Sequence, residues 1–153
     1  LDENAPIILK GSFTGNRKID EDTNIVGPST ISEFKVDKVY KGSIENDIIS
    51  VLEPFEIKDN NFTNIEGYIP MEENKEYILF LRENDISEGK QYTIKFISFG
   101  KYNTSKEDNI VNQKSSIKYL EEVKDSEFIS ESQEICDTYI NIKGEVLDKY
   151  LYK

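Results

Sequence analysis

The chain has no histidine and no tryptophan, one cysteine, one methionine and two arginines, Arg17 and Arg82. Without imidazole, and with Cys136 as the one thiol, Ser-His-Asp and Cys-His catalytic arrangements are excluded. Cys/His zinc sites are excluded on the same ground. No internal disulfide can form. Cys136 lies among Ile135, Tyr139 and Ile140 and reads as a small buried hydrophobe. Alanine is nearly missing while Ile, Asn, Lys, Glu and Asp dominate, the mark of an AT-rich coding genome rather than of a function. There is no transmembrane run, no signal-peptide core and no lipidation motif. The chain starts at Leu1 rather than Met, so removal of an upstream segment is expected.

What is abundant is negative charge. Thirty acidic against nineteen basic residues give a net charge of −11. A nucleic-acid surface draws its affinity from Lys and Arg neutralising phosphates, so nucleic acid and anionic membranes are disfavoured partners. Solubility, or a cationic partner, fits this balance. So many carboxylates pair by chance that spacing singles out no glycosidase-like acid and base. The expectation is a non-enzyme with no catalytic, cofactor-binding or metal-binding residues. Asp20-Glu21-Asp22-Thr23-Asn24 opens like a calcium loop. It then fails, with Ile25 at the glycine position and Ile31 at the closing glutamate, and reads as a solvated acidic loop. Asn61-Phe-Thr and Asn103-Thr-Ser match the glycosylation sequon, a common chance match.

The apolar residues, 37% of the chain, are grouped with a period of two over the first two-thirds. Residues 7–14 place Ile7, Leu9 and Phe13 on one face, with Gly11 at an inward position where a barrel strand bends. Residues 15–29 read as a polar loop or wide hairpin. Residues 30–40 form a long second strand whose apolar phase slips between Val36 and Val39, which predicts a β-bulge. Lys41-Gly42-Ser43 is a turn, residues 47–52 a third strand ended by Pro54, and an Asn-rich polar stretch follows. Tyr77–Leu81 is apolar on both faces and should be the most buried strand, entered by a turn with Asn74 in the left-handed region. Residues 91–98 (QYTIKFIS) read as the fifth strand, with Tyr92, Ile94 and Phe96 on one face.

From Ser115 the period lengthens to that of a helix. Phe128, Ile135, Tyr139, Ile142, Val146 and Tyr150 form a stripe, with Ile129, Cys136, Ile140, Leu147 and Leu151 beside it. Ser130 with Gln133 makes a capping box at one start of the helix, and a shorter helix is placed at 116–124. Acid early and Lys143, Lys149 and Lys153 late suit the helix dipole, while Gly144 either caps or weakens the helix. The stripe is expected to pack on the barrel, or in part to meet a partner protein or a second copy.

The succession IILKGSF, FKVDKVYKG, DIISVL, ENKEYILFL and a strand ending in FGKYN resembles the TIMP-like or netrin-like modules of bacterial secreted proteins and lipoproteins, over residues 6–103. The resemblance implies a mainly β fold with a five-stranded oligonucleotide/oligosaccharide-binding (OB) barrel; together with the helical period of the tail, this divides the chain into a barrel at 1–103 and a C-terminal helical segment at 104–153. It further implies an extracellular or cell-surface binding or interaction domain. The alternative is an OB module that takes a small ligand or oligomer on exposed aromatics, with Tyr40, Tyr68 and Tyr102 at strand ends as the candidates. Animal inhibitors of the group chelate a target protease's zinc through an N-terminal cysteine. No cysteine stands near Leu1, so that mechanism does not transfer, and no site residue is carried over.

Overall fold

A computed structural model describes residues 2–19, 29–64, 67–86, 89–105, 110–112 and 119–152. The acidic segment Asp20–Asn24 lies outside the described residues. The fold is mainly β, a closed five-stranded barrel with one C-terminal α-helix. Strands β1 (Ile7–Ile19), β2 (Thr30–Lys41) and β3 (Ile48–Glu53) are followed by a small hairpin of β4 (Phe55–Lys58) and β5 (Asn61–Asn64). Then come β6 (Glu76–Ile86), β7 (Gly89–Ile94), β8 (Lys101–Asn103), β9 (Ile110–Asn112), β10 (Phe128–Ser130) and helix α1 (Gln133–Tyr150).

The barrel order is β1-β2-β3-β7-β6, and pairing of β6 back onto β1 closes it. The β3–β7 pair is parallel, with Val51 opposite Tyr92, and its neighbours in the barrel are antiparallel. Strand β1 serves both edges of the closure, its first half pairing with β6 from Ile7↔Leu81 to Ser12↔Glu76 and its full length with β2. That double duty needs a strongly coiled strand, and the devices are visible. An added Cβ at Gly11 would overlap the Lys35 carbonyl oxygen and the Phe34 ring, so only glycine admits β2 this close. Asp37 and Tyr40 are extra residues of β2 against β1; the first is the bulge expected between Val36 and Val39.

Alternation on the closed strands sorts side chains inward and outward. Ile7, Leu9, Phe13, Phe34, Ile49, Val51, Leu79 and Leu81 share the interior cluster, and each fully buried aliphatic contributes roughly 1.5–3 kcal/mol. Tyr77–Leu81 is buried throughout, because the residues between the inward ones, Ile78 and Phe80, pack outward under α1. Phe62, Tyr68, Ile69, Met71, Val123 and Ile129 lie outside the barrel strands yet join the interior cluster, so these connections seal it.

Several elements differ from the sequence expectation. Strand β1 runs on to Ile19 through an irregularity at Thr14–Asn16, where a loop was expected. The Asn-rich stretch contains the β4–β5 hairpin, whose two-residue turn Asp59-Asn60 takes φ 52° and 66°, the primed geometry that suits twisted strands. Asn74 has φ 65°, as its turn position predicts. The fifth barrel strand ends at Ile94, four residues before the expected end. Of the short helix placed at 116–124, the described part is a 3₁₀ turn at Leu120–Val123.

Helix α1 starts after Ser132, whose hydroxyl accepts from the Ile135 amide at 3.2 Å; Ser130 is instead on β10. Glu134 in its first turn and Lys149 in its last suit the dipole. Its buried face is Cys136, Tyr139, Lys143, Val146 and Leu147, packed on Ala5, Ile8, Ile78, Phe80 and Tyr102 of the barrel's outer wall. The expected stripe is therefore rotated: Ile135 is exposed, Phe128 comes from β10, and Lys143 lies inside the face rather than near its charged end. Among the described residues no helix is long and apolar enough to cross a membrane.

Candidate functional site

After Ile94 the apolar positions Phe96, Ile97 and Phe99 no longer alternate, so a continued strand would bury one and expose the next. The chain turns instead. Lys95 makes the last amide bond to the barrel, donating to the Phe80 carbonyl at 2.8 Å. Phe96 (φ 64°) and Ile97 (φ 53°) then both occupy the left-handed region. For a β-branched residue this costs on the order of 1–3 kcal/mol and persists only where the surroundings impose it. A 3₁₀ turn, Ile97–Gly100, follows, with the Phe99 amide donating to the Phe96 carbonyl at 3.0 Å. Gly100 completes it because a Cβ there would overlap the Lys95 carbonyl oxygen.

This turn forms one wall of a cleft; Phe128–Ser130 of β10 forms the other, and Ile135 from the first turn of α1 stands at the end. The cleft volume is about 280 Å³. Beneath it lies an aromatic stack: Phe128 on Tyr139 at 4.2 Å, Tyr139 on Tyr102 at 5.0 Å, and Phe99 edge-on to Phe128 at 5.5 Å. The Tyr139 hydroxyl donates to the Lys101 carbonyl at 2.6 Å, which fixes the stack against β8. The lining carries no ionisable side chain. Ser98, 7% exposed, has a hydroxyl with no hydrogen-bond partner among the described residues, while Phe96 and Ile135 are 37% and 45% exposed. Cys136 sits below, its thiol pointing to the Ser130 carbonyl at 3.9 Å, and burial pushes its pKa up, away from reactivity.

A second polar construction lies inside the molecule. Glu53 is fully buried and accepts from the Tyr68 hydroxyl at 2.6 Å, the Met71 amide at 2.8 Å, Arg17 at 3.2 Å and the Ser32 hydroxyl. Arg17 also donates to the Met71 carbonyl and lies over the Phe13 ring at 4.0 Å. Across the Tyr68 ring, Lys101 is 2% exposed, with its Nζ 5.0 Å from that ring centre and 5.2 Å from that of Tyr77. Burial drives its pKa down to about 8, against the attraction of Glu53, Glu127 and Glu72 and with a smaller push from Arg17. Beyond it, Glu127 accepts from Lys143 at 2.7 Å and from the Asn103 amide at 2.8 Å, and Lys143 also donates to the Asn103 side chain at 2.9 Å. Both carboxylates are tied into the scaffold by several donors, which fits them to hold the connections at the barrel end in place rather than to move protons. Burial also holds the Tyr68 and Tyr77 hydroxyls well above their ordinary pKa.

The tyrosines read as a stacking platform are placed elsewhere. Tyr68 and Tyr102 are fully buried, and Tyr40 is half-buried against Tyr150 at 4.7 Å. Asn61 of the first sequon is exposed on β5, whereas Asn103 of the second is buried. Among the described residues no group of three or more Cys, Asp or Glu side chains is arranged to hold a metal ion. The cleft residues Phe96, Ile97 and Ser98 fall within the strand expected at 91–98; the broken alternation ahead of Gly100 is their one signal. The Glu53 and Glu127 centres left no trace in a sequence so rich in acid. Comparisons with protein-family models, with curated proteins and with solved structures find no match.

Proposed function

We propose that this chain is a non-enzymatic extracellular binding or interaction domain, akin to the netrin-like modules of bacterial secreted proteins and lipoproteins, that engages a protein partner at the cleft between the 97–100 turn, β10 and α1. The observation that carries the reading is that cleft: an uncharged recess with exposed Phe96 and Ile135 at its rim and a strained wall held by Gly100. The kinship is supported by the five-strand closed order with its parallel β3–β7 pair, and the extracellular setting by the sequence resemblance. A non-catalytic role is supported by the absence of histidine and by buried carboxylates committed to scaffold donors. The platform of Tyr40, Tyr68 and Tyr102 that an aromatic OB module would use is taken into the core, which favours the interaction reading over it.

The test is a photo-crosslinking residue installed at Ile135 of the full-length protein in its native cell, with Ile57, exposed on the β4–β5 hairpin, as the comparison position. A discrete heavier species at Ile135, absent at Ile57 and recovered outside the cytosol, is the expected result. Native protein confined to the cytosol, or equal labelling at both positions, overturns the proposal.

A further inference from the structure

We propose that Asn61, beside the tip of the β4–β5 hairpin, is a site of N-linked glycosylation; the site goes beyond the interaction reading and shares with it only the extracellular setting. Two asparagines carry a hydroxyl residue two positions on, Asn61 and Asn103, and the fold treats them in opposite ways. Asn103 is 8% exposed, and its side-chain oxygen accepts from Lys143 at 2.9 Å and from the Ser105 amide at 3.2 Å. An enzyme could reach it only by taking β8 off β6. Asn61 is exposed, and among the described residues no hydrogen bond holds its side-chain amide.

The hairpin presents the whole recognition stretch outward. Side chains alternate along a strand, so Asn61 and Thr63 share the exposed face, while Phe62 between them is buried and meets Phe55 at 6.0 Å. Asp59, in the turn, is exposed as well. It sets a carboxylate two positions ahead of Asn61, where bacterial oligosaccharyltransferases read an acid; Lys101 holds that position ahead of Asn103. Strands β4 and β5 pair only with each other, from Phe55↔Asn64 to Lys58↔Asn61, so the tip can open into an enzyme's groove while the barrel stays closed. In the transfer, Asn61 Nδ2 bonds to the anomeric carbon of an oligosaccharide carried on a polyprenyl diphosphate. The bond from that carbon to the diphosphate oxygen breaks, the lipid diphosphate leaves with the electron pair, and one amide proton passes to the enzyme's base.

The experiment has two arms, both on the full chain. Protein purified from its own cell envelope is weighed intact and mapped by peptide mass spectrometry. It should carry an oligosaccharide on Asn61 and none on Asn103. Purified folded protein is then given a bacterial oligosaccharyltransferase and an undecaprenyl-diphosphate-linked oligosaccharide, and should be modified at Asn61 alone. Asn61→Gln, Thr63→Ala and Asp59→Asn should each lose the added mass, and Thr63→Ser should keep it. All three side chains are exposed, so the variants should retain the wild-type circular dichroism spectrum. Native protein bare at Asn61, folded protein that accepts no sugar, sugar on Asn103, or added mass that survives Asn61→Gln overturns the site. If Asn61 is bare while the Ile135 crosslink forms outside the cytosol, the glycan site falls and the interaction reading stands; native protein confined to the cytosol takes both down.

Discussion

Glu53 is enclosed by the barrel end, and four separate donors from β1, β2 and the 67–72 connection converge on its two oxygens. Such a carboxylate is expensive to strand. Glu53→Ala leaves the Tyr68 hydroxyl and the Met71 amide without their acceptor and Arg17 without its carboxylate, and should lower stability by about 3–5 kcal/mol in denaturant titration. Lys101 is the opposite case, a buried cation whose surroundings favour its neutral form. The unfolded amine titrates near 10.5 and the folded one near 8, so between those values the unfolded chain holds the extra proton and stability rises with pH. Below pH 8 both states are protonated and the burial penalty is felt in full. Lys101→Met should therefore stabilise the protein at pH 7, by about 1–4 kcal/mol, with the gain over wild type shrinking as pH rises from 8 toward 10.5. A gain independent of pH would mean that packing, not charge, sets the effect.

At the scale of the element, helix α1 carries its own weak point and its own start. Gly144 sits exposed in the middle of the helix, and a Cβ there meets nothing within 4 Å. Gly144→Ala should raise stability by roughly 0.5–1 kcal/mol, read as a higher Tm, because alanine has less backbone freedom to lose. The N-terminus depends on Ser132, and Ser132→Ala should cost about 1 kcal/mol through loss of the bond to the Ile135 amide. A helix was legible from the period near 3.5, as was its dipole-matched charge. Its exact face was not. Ile135 and Cys136 differ by one position and both read as apolar; only the packing of the helix on the barrel decides that Cys136 is covered and Ile135 exposed. The end of β7 has a similar origin: QYTI alternates cleanly, while the next residues are apolar enough to be strand and turn only because Gly100 permits the reversal.

At the scale of the whole molecule, barrel and helix share one apolar cluster, with Tyr139 fully buried at its centre. Tyr139→Asp should lower stability by about 2–4 kcal/mol, since it buries a charge among rings and frees the Lys101 carbonyl. The same variant should unfold in one cooperative transition, measured by both near- and far-ultraviolet circular dichroism; separate transitions would mean that the helix is not part of the barrel's core. The net charge of −11 opposes compaction, and moderate salt should raise the Tm by screening that repulsion.

The sequence by itself determined the class of fold: strands with period two, a bulge between Val36 and Val39, a wholly buried strand at Tyr77–Leu81 and a terminal helix, because each of these is written in local alternation and turn chemistry. Missing histidine, likewise, excluded whole classes of chemistry before any coordinate was known. Only the tertiary structure decided that Glu53 and Glu127 are the buried acids among the described residues, that Arg17 and Lys143 answer them, and that Phe96–Phe99 and Phe128–Ser130 face each other across a cleft. Those facts depend on closure of the barrel, which joins residues far apart in the chain, and burial of a charge follows from the whole enclosure around it rather than from its neighbours in sequence.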